Sequence, residues 1–198
     1  MLNVIIFGAP GSGKGLQSKK LAADPTFKKS SGLIHISTGD LLREEMNKHS
    51  ILGDQIAENM NRGEYVSDAF ASQILMNKVH ELGGYKVDGF IFDGFPRTLP
   101  QCSFLDRVLA SFKAEVNVVI NLQVDSKTLI ERLIERSKTT GRTDSLTEKD
   151  AKNRLKIFAL ETLPILEYWK DIVTNIDGTA TPDEVYKSIF NVLKDKVI

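Results

Sequence analysis

Short apolar runs of strand length alternate along the chain with segments whose apolar residues recur at helical spacing. Residues 2–7 are apolar apart from Asn3; residues 90–92 and 116–122 are similar, and 33–36 and 172–176 are weaker versions. Between them the spacing predicts helices over 14–23, 40–48, 52–60, 68–82, 99–112, 126–136, 147–168 and 182–194. Continuous apolar strands are buried on both faces, and the intervening helices are long enough to serve as crossovers between parallel neighbours. The pattern therefore predicts an α/β chain, a parallel sheet wrapped by helices. Such sheets bind ligands at the carboxyl ends of their strands, so the residues just after each strand are the ones to read for chemistry.

Composition narrows the function classes. A length of 198 residues with 41% hydrophobic and 26% charged residues suits one globular domain and excludes bulk disorder. Lys+Arg and Asp+Glu are 26 each, which argues against a general nucleic-acid or membrane-surface binder, whose affinity would rest on basic excess. Cys102 is the single cysteine, excluding an internal disulfide and any zinc site built on cysteines. The apolar run near the start is too short for a signal peptide or membrane span, so a soluble, cytoplasmic protein is expected. His35, His49 and His80 are scattered without ligand spacing and are read as structural or surface residues rather than metal ligands.

After the first predicted strand comes Gly8-Ala9-Pro10-Gly11-Ser12-Gly13-Lys14, a G-x-x-x-x-G-K pattern with a strand before it and a helix after it. The glycines allow amide hydrogens to converge on one concavity at the positive end of the following helix. Lys14 can then reach the β- and γ-phosphates. Gly15 and Leu16 follow, so neither position offers Mg²⁺ a hydroxyl.

Arginine is scarce, eight against eighteen lysines, and is preferred where phosphate needs a planar, two-pronged grip. Ser37-Thr38-Gly39-Asp40 and Arg43 follow the second strand; Ser37 or Thr38 capping the next helix, with Arg43 solvated, is the alternative to a phosphate site. Asp93-Gly94-Phe95-Pro96-Arg97 follows the third strand, where an acid beside a phosphate loop can hold Mg²⁺ and its waters. Arg132 and Arg136 share one helix face, and Glu131 and Glu135 could neutralise them there. Arg142 and Arg154 bracket residues that read as a short polar loop at 137–140 together with Gly141. These arginines resemble a lid closing over transferring phosphate and excluding water.

In order and spacing, the phosphate loop, residues 37–43, Gly63-Glu64-Tyr65-Val66, residues 93–97 with Gln101, and residues 131–136 form a specific set. Gly141-Arg142-Thr143-Asp144, Arg154 and Asp177-Gly178-Thr179 complete it. With these, the chain resembles the adenylate kinases of short-lid type, within the nucleoside monophosphate kinases, from residue 2 to about 193. The resemblance implies a P-loop kinase core: one domain, 1–198, with a five-stranded parallel sheet wrapped by helices. Its core would be 1–36, 67–136 and 147–198, with an AMP-binding insert at 37–66 and a lid at 137–146. It implies reversible phosphoryl transfer from ATP to AMP giving two ADP, directly and in line, in a monomer without nucleic-acid or membrane partners. The loop Gly8, Ala9, Pro10, Gly11, Ser12, Gly13, Lys14 and Gly15 would hold the donor, Arg132 would stack near its base, and Gly178 would contact it. Arg136, Arg142 and Arg154 would clamp the transferring group, with Arg142 and Arg154 also reaching AMP. Arg43 and Arg97 would hold the AMP phosphate, while Thr38, Val66, Gly94 and Gln101 line its base. Asp93 would organise Mg²⁺ through water. The pattern departs from the family at Leu16, commonly threonine, and at Ser145, where the lid's second aspartate is missing. A UMP–CMP kinase is the nearest alternative. A nucleotide switch is the rival from another class, disfavoured because no Asn-Lys-x-Asp motif occurs.

Overall fold

A computed structural model describes residues 1–48, 50–83, 86–140 and 147–196; His49, Gly141, Arg142, Asp144 and Ser145 lie outside them. Five parallel strands form one sheet in the order β2-β3-β1-β4-β5. They are β1 (Val4–Gly8), β2 (Leu33–Ser37), β3 (Gly89–Asp93), β4 (Val118–Gln123) and β5 (Val173–Asp177). The central strand pairs on both sides, Val4 lying opposite Ile91 of β3 and Val118 of β4.

Side chains alternate across β1 as a period of two requires. Ile5 and Phe7 join one core with Phe90, Phe92, Leu75 and Leu105. Val4 and Ile6 face the other, with Leu21, Ile91, Val118, Ile120 and Ile189. Helices cover both faces. These are α1 (Lys14–Ala23), α2 (Thr38–Met46), α3 (Ile51–Asn61), α4 (Asp68–Glu81), α5 (Leu99–Ser111), α6 (Ser126–Thr140), α7 (Glu148–Ile157), α8 (Ile165–Tyr168) and α9 (Pro182–Leu193). Hydroxyl side chains start most of them. Ser37, Ser50, Ser67, Thr98, Thr147 and Thr181 each accept from an amide of the first turn, satisfying donors that have no partner within the helix.

Two expectations are corrected. Residues 137–140, read as a polar loop, continue α6. Ser137 Oγ donates to the Ile134 carbonyl, and Thr139 Oγ1 donates to the carbonyls of Glu135 and Arg136. Their polarity is thus absorbed inside the helix. The single helix expected over 147–168 is instead α7, a π turn (Phe158–Thr162) and the short α8. Pro164, which has no amide hydrogen, precedes α8. Among the described residues no helix is long and apolar enough to cross a membrane.

The chain runs from β1 to β2 and β3 on one side of it, then to β4 and β5 on the other. The order of strands reverses beside β1, and a cleft opens at its carboxyl end.

Candidate active site

The cleft holds about 510 Å³ and is lined by Gly8, Pro10, Gly11, Gly13, Lys14, Gly15, Arg43, Val66, Asp93, Gly94, Arg97, Gln101, Arg132, Arg136 and Arg154, a volume suited to small-molecule ligands. Most of the predicted site residues therefore meet in one place. Ala9, Ser12, Thr38 and Gly178 are not among its lining, and Arg142 lies outside the described residues.

The loop after β1 is shaped by its glycines. Gly13 caps α1 with φ +94°, a left-handed backbone that a side chain would strain. Such a turn at a helix N-terminus lets amides and helix dipole act together on an anion. Ser12 is buried beneath Gly8, and its Oγ has no hydrogen-bond partner among the described residues. Lys14 folds back over the loop, Nζ donating to the Ala9 carbonyl at 3.4 Å. Burial pushes its ammonium down to about 8; Asp93 opposes the shift, while Arg97, Arg136 and Arg154 add to it. Those cations come from the turn before α5, from α6 and from α7, yet they act on one point.

Asp93, at the end of β3, faces them. Burial alone would raise its carboxyl, but His35, Lys14 and Arg97 outweigh burial and hold it below the usual carboxylate range. His35 Nε2 stands 3.4 Å from Asp93 Oδ2. A Cβ built on Gly15 would lie 3.1 Å from the same oxygen, so the carboxylate sits close to the first turn of α1 and leaves little room there for a side chain. Among the described residues no three His, Cys, Asp or Glu side chains converge. A lone ionised carboxylate of this kind fits a Mg²⁺ ion that keeps most of its waters. Leu16 is 48% exposed, and its apolar side chain borders the cleft rather than the core.

Arg132 Nη1 donates to the Gly178 carbonyl at 3.0 Å. A Cβ at Gly178 would fall 2.7 Å from Val124 Cγ2, which only glycine avoids. Ser37 caps α2, as the alternative reading had it, and Thr38 is the first helical residue. Thr38 is buried and its Oγ1 is unpartnered among the described residues. Arg43 pairs with Asp40 and lies across Gly39.

Gln101 is more constrained than its sequence suggests. Its Oε1 accepts from the Arg97 amide at 2.8 Å, and its Nε2 donates to Asp68 Oδ1 at 2.7 Å. An amide N–H only donates and a carboxylate only accepts, so these partners fix which end of the carboxamide is which. One lone pair and one N–H remain for a ligand. Asp68 also accepts from Thr98 Oγ1 at 3.0 Å, tying the start of α4 to the start of α5. His35 and Tyr65 line the cleft, and Asp68 reaches it through Gln101; sequence reasoning gave none of the three a role in the site, although Tyr65 stood within its 63–66 element. The cue available for His35 was its position just before Ser37 on a strand leading into the site.

The sequence pattern of the adenylate kinase family, "Adenylate kinase", matches residues 6–174. An adenylate kinase of Porphyromonas gingivalis (strain ATCC BAA-308 / W83) is 42% identical over 187 residues, covering 93% of this chain and 92% of that protein. One of Parabacteroides distasonis is 41% identical over 193 residues, 96% of each. One of Flavobacterium psychrophilum is 36% identical over 197 residues, 98% of this chain and all of that protein. The chain belongs to the adenylate kinase family.

Proposed function

We propose that the protein transfers the terminal phosphoryl group of ATP to AMP, reversibly, giving two ADP. The observation that carries this is the meeting of Lys14, Arg136 and Arg154 in one field near Asp93, with Arg97, which reaches the same field, and Arg43 lining the same cleft as further cations. A hydrolytic switch has no need of a second anion site; a kinase does.

The loop amides and Lys14 hold the donor phosphates, with Arg132 and Gly178 beside the donor base. Arg43 and Arg97 hold the acceptor phosphate, and Thr38, Val66, Gly94 and Gln101 surround its base. Arg136 and Arg154, joined by Arg142, stabilise charge on the group in flight, the largest contribution a protein makes to phosphoryl transfer. Lys14 spans donor and transferred phosphate. Asp93 would hold Mg²⁺ through water, where the ion would supply charge neutralisation for the phosphates. Residues 37–66 act as the acceptor-binding insert and 137–146 as the lid. Transfer is direct and in line, with no covalent enzyme intermediate.

The test is ADP production over a matrix of donors and acceptors. ATP turnover should depend on AMP, and AMP should exceed CMP and UMP by at least about tenfold in kcat/KM, since a base that leaves site groups unpaired forfeits roughly 1–3 kcal/mol per group. Equal turnover of CMP would give the protein to the pyrimidine monophosphate kinases. ATP hydrolysis indifferent to AMP would make it a switch.

A further inference from the structure

Tyr65 sits in the turn between α3 and α4, and its two ends touch different parts of the cleft. Arg97 Cζ lies 4.8 Å from the centre of its ring, over the ring face. Its hydroxyl and Thr162 Oγ1 share a hydrogen bond of 2.8 Å. Thr162 is buried and closes the π turn that continues α7, the helix bearing Arg154. π turns are rare and concentrate at functional sites.

Arg97 is held from a second direction as well, its Nε donating to the Gly94 carbonyl at 2.8 Å. With Nε tied and one face laid on the ring, the Nη edge is what Arg97 has left to offer a ligand. That edge makes paired bonds to phosphate oxygens, and an arginine already held in place loses little freedom on making them. A side chain that merely filled this space would need neither an aromatic face under the cation nor a hydroxyl reaching a buried threonine.

We propose that Tyr65 is a positioning residue that couples the acceptor-phosphate site to the residues that act on the transferring group. Its ring presents Arg97 to the acceptor phosphate, and its hydroxyl ties that assembly through Thr162 to the helix that carries Arg154. The inference rests on the reading of Arg97 as an acceptor-phosphate ligand. Acceptor binding thereby bears on the position of a transition-state arginine, with Tyr65 as the physical link.

The ring and the hydroxyl are separable by mutation. Tyr65→Phe should keep the equilibrium Kd for AMP within twofold while lowering kcat at saturating substrates about three- to tenfold. Tyr65→Leu, which also removes the platform, should weaken AMP binding about fivefold or more, the range of a partly desolvated cation–π contact, and leave ATP binding within twofold. Adding Tyr65→Leu to Arg97→Met should weaken AMP binding no further than Arg97→Met alone. Tyr65→Met, which likewise lacks an aromatic face, should weaken AMP binding as the leucine variant does, so it serves if the leucine variant does not fold. Full kcat in Tyr65→Phe would overturn the tie to α7. Unchanged AMP affinity in Tyr65→Leu, beside clear weakening in Arg97→Met, would overturn the platform. Unchanged AMP affinity in Arg97→Met would instead overturn the reading of Arg97 itself.

Discussion

Asp68 shows how a residue can shape a site by orienting its neighbour. Its carboxylate holds Gln101 Nε2 and Thr98 Oγ1, which leaves Gln101 one orientation in which to meet a base. Replacing Asp68 by Ala removes an ionic acceptor from a nearly buried amide, a loss of about 1–3 kcal/mol in ordering. AMP KM should rise about fivefold or more with ATP KM unchanged, and the margin over CMP should shrink; steady-state kinetics with each acceptor would detect it. The resemblance points to Gln101 as a base-pocket residue, and the structure places it in the cleft, but its engagement was not legible. The partner that orients it lies 33 positions away, a separation that no local spacing encodes. Lys14 makes a second prediction at this scale. In the free protein its ammonium titrates near 8, whereas bound polyphosphate restores the charged form. ATP binding should therefore take up close to one proton at pH 9 and little at pH 6.5, measurable by calorimetry in buffers of different ionisation heat. Proton uptake independent of pH would remove Lys14 from contact with the donor.

Elements were legible where their signals are local. The expected helix starts at 68, 99 and 182 match the structure, each directly after a capping Ser67, Thr98 or Thr181, because a cap is a local signal that needs only an oxygen three residues ahead of an amide. The expected end of α6 does not match, since Ser137 and Thr139 satisfy themselves on carbonyls behind them and look polar without ending anything. The π turn after α7 carried no sequence mark beyond Pro164. The segment that leads into β2 depends on one side chain: Asp88 accepts from the amides of Lys29, Ser30 and Gly32 at 2.9, 2.8 and 2.7 Å, and from Ser30 Oγ. The Ser30 amide bond does most to hold its carboxyl down, at about 2. The folded value lies below the unfolded one, so this stabilisation is complete above about pH 4 and fades as pH falls toward 2. Asp88→Asn should cost about 1–2 kcal/mol at neutral pH, with the difference from the unmodified protein closing in acid. Denaturant titrations across that pH range would measure it, and a constant difference would count against the clamp.

At the scale of the whole molecule, zero formal net charge hides an uneven distribution, with cations gathered at one end of the sheet around Asp93. The donor loop grows from β1, buried along its whole length and paired on both sides. In contrast, α3 buries only Gly53 and Ile56, and much of α2 is half-exposed. In terms of local opening, the two proposed nucleotide sites hang from parts of unequal stability. Amides of β1 should exchange with solvent deuterium only through global unfolding, whereas those of α3 should exchange through cheaper, partial openings. At low denaturant the protein should accordingly lose its grip on AMP while still holding ATP, and native-state exchange read residue by residue would reveal that order. The same inequality has a thermal counterpart. As temperature rises toward the melting point, the apparent KM for AMP should climb earlier than that for ATP, so the acceptor site would set the upper working temperature of the enzyme while its sheet is still intact.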